Sequence, residues 1–294
     1  MGRRTNIEWA DSTINMAAGC DGCELYNPKN EAKGIKNTCY AAALTKRYKG
    51  NKGFPEQFDV PVLFPHRVKE IATWGDLTGK ARPLKPWLNG APRHIFHGDM
   101  GDYFTESLPL FWLLEYLDEL ADMPHVHMML TKRPNRMAAV FQRYGHVPAN
   151  FRLGTSITSR GNITRAIALI RQVGQMSNDL FLSVEPLVED VTGGSLSLDR
   201  LLKEDFDFSR MMIIVGGESG PGARPFHIEW AESIRDLCEE HQVAFFMKQT
   251  GSNAYRQGAR WATVGKGDHL VDLPEDLRIR MMSWAEHWHQ MAAR

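Results

Sequence analysis

From residue 94 onward the chain alternates between short apolar runs and longer amphipathic stretches. The runs are HIFHG (94–98), VHMML (126–130), FRLGT (151–155), LFLSV (180–184), MMIIVG (211–216) and VAFFM (243–247). Apolar runs this short, bounded by polar or glycine-containing turns, predict buried strands. Between them lie LPLFWLLEYLDELA, RPNRMAAVFQRYG, NITRAIALIRQVGQ and HIEWAESIRDLCEEHQ, which predict helices. In the last of these, Trp230, Ile234, Leu237 and Cys238 stand at i, i+4, i+7 and i+8 and predict one apolar face. An earlier strand is predicted in STINMAA (12–18), and a helix from near Thr38.

Each run ends in polar, charged or glycine-rich residues: GDMGDYF, TKRPNR, SITSR, EPL, GESGPGAR and KQTG. In a parallel barrel those strand ends share one face, where the βα loops build a site. The pattern therefore predicts an α/β protein, a full or partial (β/α) barrel of residues 1–251. Residues 252–294 are expected to form a C-terminal extension packed on it. Trp261, Trp284 and Trp288 in that extension suit either a cap or an interface. The stretch 50–92, rich in Gly, Pro and Lys, predicts irregular structure.

Composition narrows the setting. The 294 residues are 43% apolar and 24% charged with zero formal net charge, which fits a globular protein and not a polycation. No apolar run approaches a membrane span, and MGRRTNIEWADST lacks the apolar core of a secretory signal, so a cytoplasmic protein is expected. In that compartment four cysteines point to metal binding, catalysis or packing instead of disulfides. Locally the charge is uneven: Lys29, Lys33, Lys36, Lys46, Arg47, Lys49 and Lys52 face a single acid, Glu31. Such a segment suits phosphates, or is a solvated face.

GCDGCELYNPKNEAKGIKNTCYAAAL (19–44) follows the first predicted strand and holds Cys20, Cys23 and Cys39. Structural zinc normally takes four protein ligands. The nearest histidine, His66, lacks ligand spacing, and Cys238 lies on a predicted core face. Three thiols with one open position suit an iron–sulfur cluster whose remaining iron binds a small molecule. Reduced, non-ligating thiols are the plain alternative.

Further stretches carry a resemblance. TNIEWADST (5–13), the Gly-Cys, the CYA that ends the cysteine loop, LTKRP (130–134), GTSITS (154–159), SVEPL (183–187), VGGESGPGARPF (215–226) and FMKQTG (246–251) occur in this order. With them the chain resembles the radical S-adenosylmethionine superfamily, in the branch found widely in bacteriophages that includes thymidine-hypermodification isomerases. It departs from the superfamily's usual C-x3-C-x2-C spacing, because its gaps are two and fifteen residues.

The resemblance implies a [4Fe–4S] cluster on Cys20, Cys23 and Cys39 and S-adenosyl-L-methionine as cofactor. It places Tyr40 near the adenine, against the plain reading of a tyrosine packed at a helix start. Asp99 and Asp102 correspond to the position that meets the cofactor's amino group; a helix cap is the plain competitor. Lys132, with Thr131 and Arg133, suits a carboxylate or phosphate. Ser156 and Ser159 suit ribose hydroxyls, and Glu218 and Arg224 are the charged members of a glycine-rich loop. Glu185, directly after LFLSV, is a carboxylate that needs a partner at that depth; Lys248 and Gln249 complete the ring.

Glu185, Lys132 and Lys248 are the expected catalytic groups. The implied reaction is a radical isomerisation of a glycine adduct on modified thymidine in DNA, moving the linkage from nitrogen to the α-carbon and helping phage DNA evade restriction. The enzyme would need an external electron donor and no membrane, and a phage-encoded form would work in the host cytoplasm. Two alternatives stand beside it: a radical lyase or repair enzyme on a nucleobase, and a zinc-stabilised, nucleic-acid-binding barrel without radical chemistry.

Overall fold

The computed structural model describes residues 2–35, 37–177 and 179–283. Trp284 and Trp288 lie outside the described residues, as does Lys36. The chain forms two compact units, one of residues 1–78 and 92–151, the other of 79–91 and 152–294.

In the first unit, β1 (Ser12–Ile14), β2 (Arg93–His97) and β3 (His125–Thr131) run parallel, with Ser12 opposite Ile95 and Arg93 opposite His125. All of β1 and β2 is buried, and so is all of β3 but one residue, which is why they read as apolar runs without alternation. STINMAA does not continue as one strand. Ala17–Ala18 pairs instead with Val62–Leu63, because the Asn15 carbonyl accepts from Arg67 Nη1 at 2.5 Å and the Met16 carbonyl from Phe64 N at 2.7 Å.

The longer helices of this unit are α1 (Tyr40–Arg47), α2 (Leu110–Ala121) and α3 (Pro134–Tyr144). Pro134 opens α3, where a proline lacks no needed N–H, and Gly145 ends it in the left-handed region at φ 104°. Met137, Ala138, Val140 and Phe141 are its buried face.

The second unit takes in β4 (Phe151–Ser156, with the unit boundary after Phe151), β5 (Leu180–Val184), β6 (Met211–Gly216) and β7 (Ala244–Gln249). They too are parallel, with Gly154 opposite Phe181, Leu180 opposite Met211 and Ala244 opposite Met212. α4 (Ile163–Gln172) and α5 (Ile228–Glu240) follow β4 and β6. The buried side of α5 is Ile228, Ala231, Ile234 and Cys238, with Trp230 and Leu237 half-buried at its margin. Its apolar face is thus rotated from the predicted stripe because the helix begins at Ile228, whose side chain is already in the core.

Within each unit sheet order equals chain order, β1 to β3 in the first and β4 to β7 in the second. This is the topology of a partial (β/α) barrel. After β7 the chain stays with the second unit. Ala254–Arg256 pairs with Phe226–His227, Met247 N donates to the Ile279 carbonyl at 2.8 Å, and Arg280 lies 4.6 Å over the Trp87 ring. Among the described residues no helix is long and apolar enough to cross a membrane.

Gly154 shows how tightly β4 and β5 are packed. A Cβ there would lie 2.7 Å from three atoms of the Phe181 ring, which is fully buried. Gly154→Ala is expected to destabilise the protein by about 1–3 kcal/mol through overpacking, read as a lower urea midpoint at unchanged slope; an unchanged midpoint would show that the ring can move aside.

Candidate functional site

The cysteine loop is built on two glycines. Gly19 has φ 104°, and a Cβ there would stand 2.7 Å from the Phe58 carbonyl oxygen and 2.8 Å from Pro61 Cα. Its N–H donates to the Met100 carbonyl at 3.0 Å, and Cys20 N donates to that of Phe58 at 2.8 Å. Gly22, at φ 122°, then turns the chain into a tight reversal in which Cys23 and Tyr26 exchange N–H···O bonds of 2.7 and 3.1 Å. Thr38 N and Cys39 N both donate to the Leu25 carbonyl at 2.9 Å, so the third cysteine is tied to the reversal carrying the second. Cys20 is buried among Tyr26, Ala41, Phe58 and Met100, with Cys39 packed against the same cluster. Cys23 and Cys39 are half-buried, and all three thiols are free.

Arg133 reaches into this loop from the end of β3. Its Nη1 stands 3.6 Å from Cys20 Sγ and 3.0 Å from Asp102 Oδ2, and its Nη2 donates to the Gly22 carbonyl at 2.6 Å. Asp102 also accepts from Thr131 Oγ1 at 2.8 and 2.9 Å, Lys132 N at 3.0 Å and Phe104 N at 2.9 Å. Burial pushes the Cys20 thiol up, and so does the Asp102 charge, against the opposing pull of Arg133. Burial is also the main cause that raises Cys39; nearby Cys23 adds to it and nearby Lys132 opposes it.

The expected pairing of Asp99 with Asp102 resolves into two separate duties. Asp102 is engaged by the donors just named. Asp99 is half-buried and accepts from Asn15 Nδ2; burial raises its carboxyl, with the Asn15 bond working the other way. Tyr40 donates its hydroxyl to the Asp99 carbonyl while 58% of the residue remains exposed, so its ring is anchored at the hydroxyl end.

Beneath the loop runs a polar chain that sequence reasoning passed over. Met16 N donates to Tyr103 Oη at 2.6 Å, and Tyr103 Oη donates to the Ile14 carbonyl at 3.2 Å. Tyr116 Oη bonds His97 Nδ1, and His97 Nε2 stands 2.9 Å from His127 Nδ1. His97 and His127 lie on neighbouring strands inside runs that read as apolar. Burial, helped by the charge of His125, pushes His97 down to about 3; burial and then His97 itself push His127 well below the ordinary value. Asn15 was passed over too. Its Oδ1 accepts from Met100 N at 3.0 Å, 85 residues away, and no local signal marks such a partner.

In the second unit Glu185 follows β5 directly and pairs with Lys248 Nζ at 2.9 and 3.2 Å, with Ser183 Oγ 3.3 Å from Oε2. Both side chains are largely buried, 13% and 19% exposed. The neighbouring Gly216 makes the room: a Cβ there would fall 2.3 Å from Glu185 Oε1. Gln249, also buried, donates to the Gly217 carbonyl at 2.9 Å. Glu218 is clamped within its own loop by Arg224, through bonds of 2.9 and 3.0 Å from the guanidinium and 2.8 Å from the backbone. Ser156 is buried at the end of β4, and Ser159 Oγ stands 3.4 Å from Asn162 Oδ1.

The fold and the loop define a parallel α/β protein with a three-thiol loop after its first strand. Residues 4–276 match the family model described as "Protein of unknown function (DUF5131)", and the chain belongs to that family. No curated protein and no solved structure matches it. Among the described residues no group of three or more His, Cys, Asp or Glu side chains is arranged to hold a metal ion.

The histidine chain yields a pH dependence with a definite sign. His97 has an ordinary value of 6.5 and a folded value of about 3, so between those limits the unfolded chain binds the extra proton. Its contribution is complete above pH 6.5 and is lost as pH falls toward 3. The slope is about 1.4 kcal/mol per pH unit for each such group. Urea unfolding between pH 7 and 5 should show this loss, with His97→Asn removing one proton's worth of slope. A flat profile would mean that the buried imidazoles take up protons without unfolding.

Proposed function

We propose that this protein is a radical S-adenosylmethionine enzyme that modifies a nucleobase. The observation that carries the reading is the loop itself: three free thiols supplied by one continuous segment after the first strand, with the Arg133 guanidinium beside Cys20. The donor set fits an iron–sulfur cluster in type and number.

Cys20, Cys23 and Cys39 would hold the cluster. Bound there, it would supply the one-electron reduction, fed by an external donor, that radical chemistry with S-adenosylmethionine requires. The chain's own residues do the rest. Arg133 fixes the Cys20–Gly22 turn and places positive charge beside an anionic ligand set. The exposed ring of Tyr40 would lie against a planar group such as adenine, and Asp99, raised by burial, would receive a proton or an ammonium.

Glu185 and Lys248 form a matched carboxylate and ammonium at the end of a core strand. A glycine adduct on thymidine carries the complementary charges, a carboxylate and an amine. Binding one therefore exchanges the internal pair for two substrate pairs without leaving a charge alone. This supports the isomerisation of a glycyl thymidine in DNA, with an external electron donor, as the reaction; phage DNA so modified resists host restriction.

Anaerobic purification followed by iron, sulfide and zinc analysis tests the reading. About four irons and four sulfides per chain are expected, lost in Cys20→Ala, Cys23→Ala and Cys39→Ala and kept in Cys238→Ala, whose thiol is buried in the core. One zinc per chain without sulfide would overturn the radical mechanism.

A further inference from the structure

α1 joins two features that chemistry seldom places together by chance. At one end stands Cys39, immediately before Tyr40. At the other, Lys46 and Arg47 are exposed, followed by exposed Tyr48, Lys49 and Lys52. The helix buries Ala41, Ala42 and Thr45 and turns Tyr40, Ala43, Lys46 and Arg47 outward. Tyr40 and Arg47 are seven residues apart, so about 10 Å of helix separates the thiol end from the cations.

The aromatic residues on this strip, Tyr40 and Tyr48, are held in place and still exposed. Tyr48 is 39% exposed; its ring leans on Phe54 with centroids 5.3 Å apart, and the Arg47 guanidinium lies 5.6 Å from its centroid. Glu56 meets Lys49 at 3.9 Å with both side chains more than half exposed. Such a contact is weak and gives way readily to a phosphate. A duplex presents phosphates but hides its base faces, so it would use the cations and leave the rings idle. An unpaired strand uses both: cations track its backbone and bases stack on the rings.

We infer that residues 40–52 form a docking strip for an unpaired nucleic-acid strand, with Arg47 and Lys46 on phosphates and Tyr48 under a base. The strand is thereby led along α1 toward Cys39. The inference rests on the nucleic-acid part of the reading above and not on its radical chemistry. It also removes a difficulty of that reading, since a base in an unpaired strand reaches a half-buried thiol loop without first being flipped from a duplex.

The test is fluorescence anisotropy of the full chain with a labelled twelve-nucleotide DNA strand and with the duplex of the same sequence, over a range of salt. Single-strand binding should exceed duplex binding at least tenfold. Tyr48→Ala should weaken the single strand by about tenfold and leave the duplex unchanged, whereas Tyr48→Phe, which keeps the ring, should restore binding. The Lys46→Ala, Arg47→Ala pair should reduce the log–log salt slope by about 1.4, roughly 0.7 for each lost phosphate contact. Equal or tighter binding of the duplex, or indifference to Tyr48→Ala, would overturn the strip. Iron and sulfide measured on the same preparations separate the two proposals: a cluster without strand binding sinks only this one, and strand binding without a cluster sinks only the radical mechanism.

Discussion

The carboxylate of Asp102 is where the first unit is tied together. Its two oxygens accept from Thr131 Oγ1, Lys132 N, Arg133 Nη1 and Phe104 N. These donors come from the end of β3, the entry to α3 and the loop after β2. Hydrogen bonds from so many donors replace the water that a buried carboxylate has lost. Arg133 extends the arrangement to the cysteine loop, through the Gly22 carbonyl and the Cys20 sulfur. With Asp102 truncated, Arg133 would remain as a largely buried cation without its anion, a loss of about 3–5 kcal/mol, and the turn carrying Cys20 and Cys23 would lose its support.

The second unit solves a similar problem with space. Charged or bulky side chains at its strand ends are admitted because a neighbouring residue has no Cβ. Gly216 makes room for the Glu185 carboxylate and Gly154 for the Phe181 ring. Glu185 is thus held by one lysine and one hydroxyl, while Asp102 is held by a ring of donors. The sparser arrangement leaves lone pairs for a ligand. The two acids, both found at the ends of strand-and-loop units, are thus held in different ways, Asp102 by several backbone and side-chain donors and Glu185 by one buried ion pair.

Much of this was legible in the residues. The buried parallel strands appear as uninterrupted apolar runs because both faces are covered, and their limits fall within a residue or two of the observed ones. The thiols were legible because their chemistry lies in the residue type and in their short separation. Asn15, Tyr103, His97 and His127 were not. Each is a polar residue within or beside an apolar run, and its partner is set by strand register or by a loop some 80 residues distant. The same holds for Arg133, which reads in sequence as one more cation in TKRP.

By itself, then, the sequence determined the alternation of strands and helices, the polar strand ends and the single loop that carries the thiols, since these follow from side-chain type and local spacing. Tertiary structure decided which charges are already satisfied and which remain available. Asp99, Asp102, Glu185 and Glu218 look alike along the chain. Only folding assigns Asp102 to Arg133, Glu218 to Arg224 and Glu185 to Lys248, because a buried charge takes its character from donors that the chain brings to it from elsewhere.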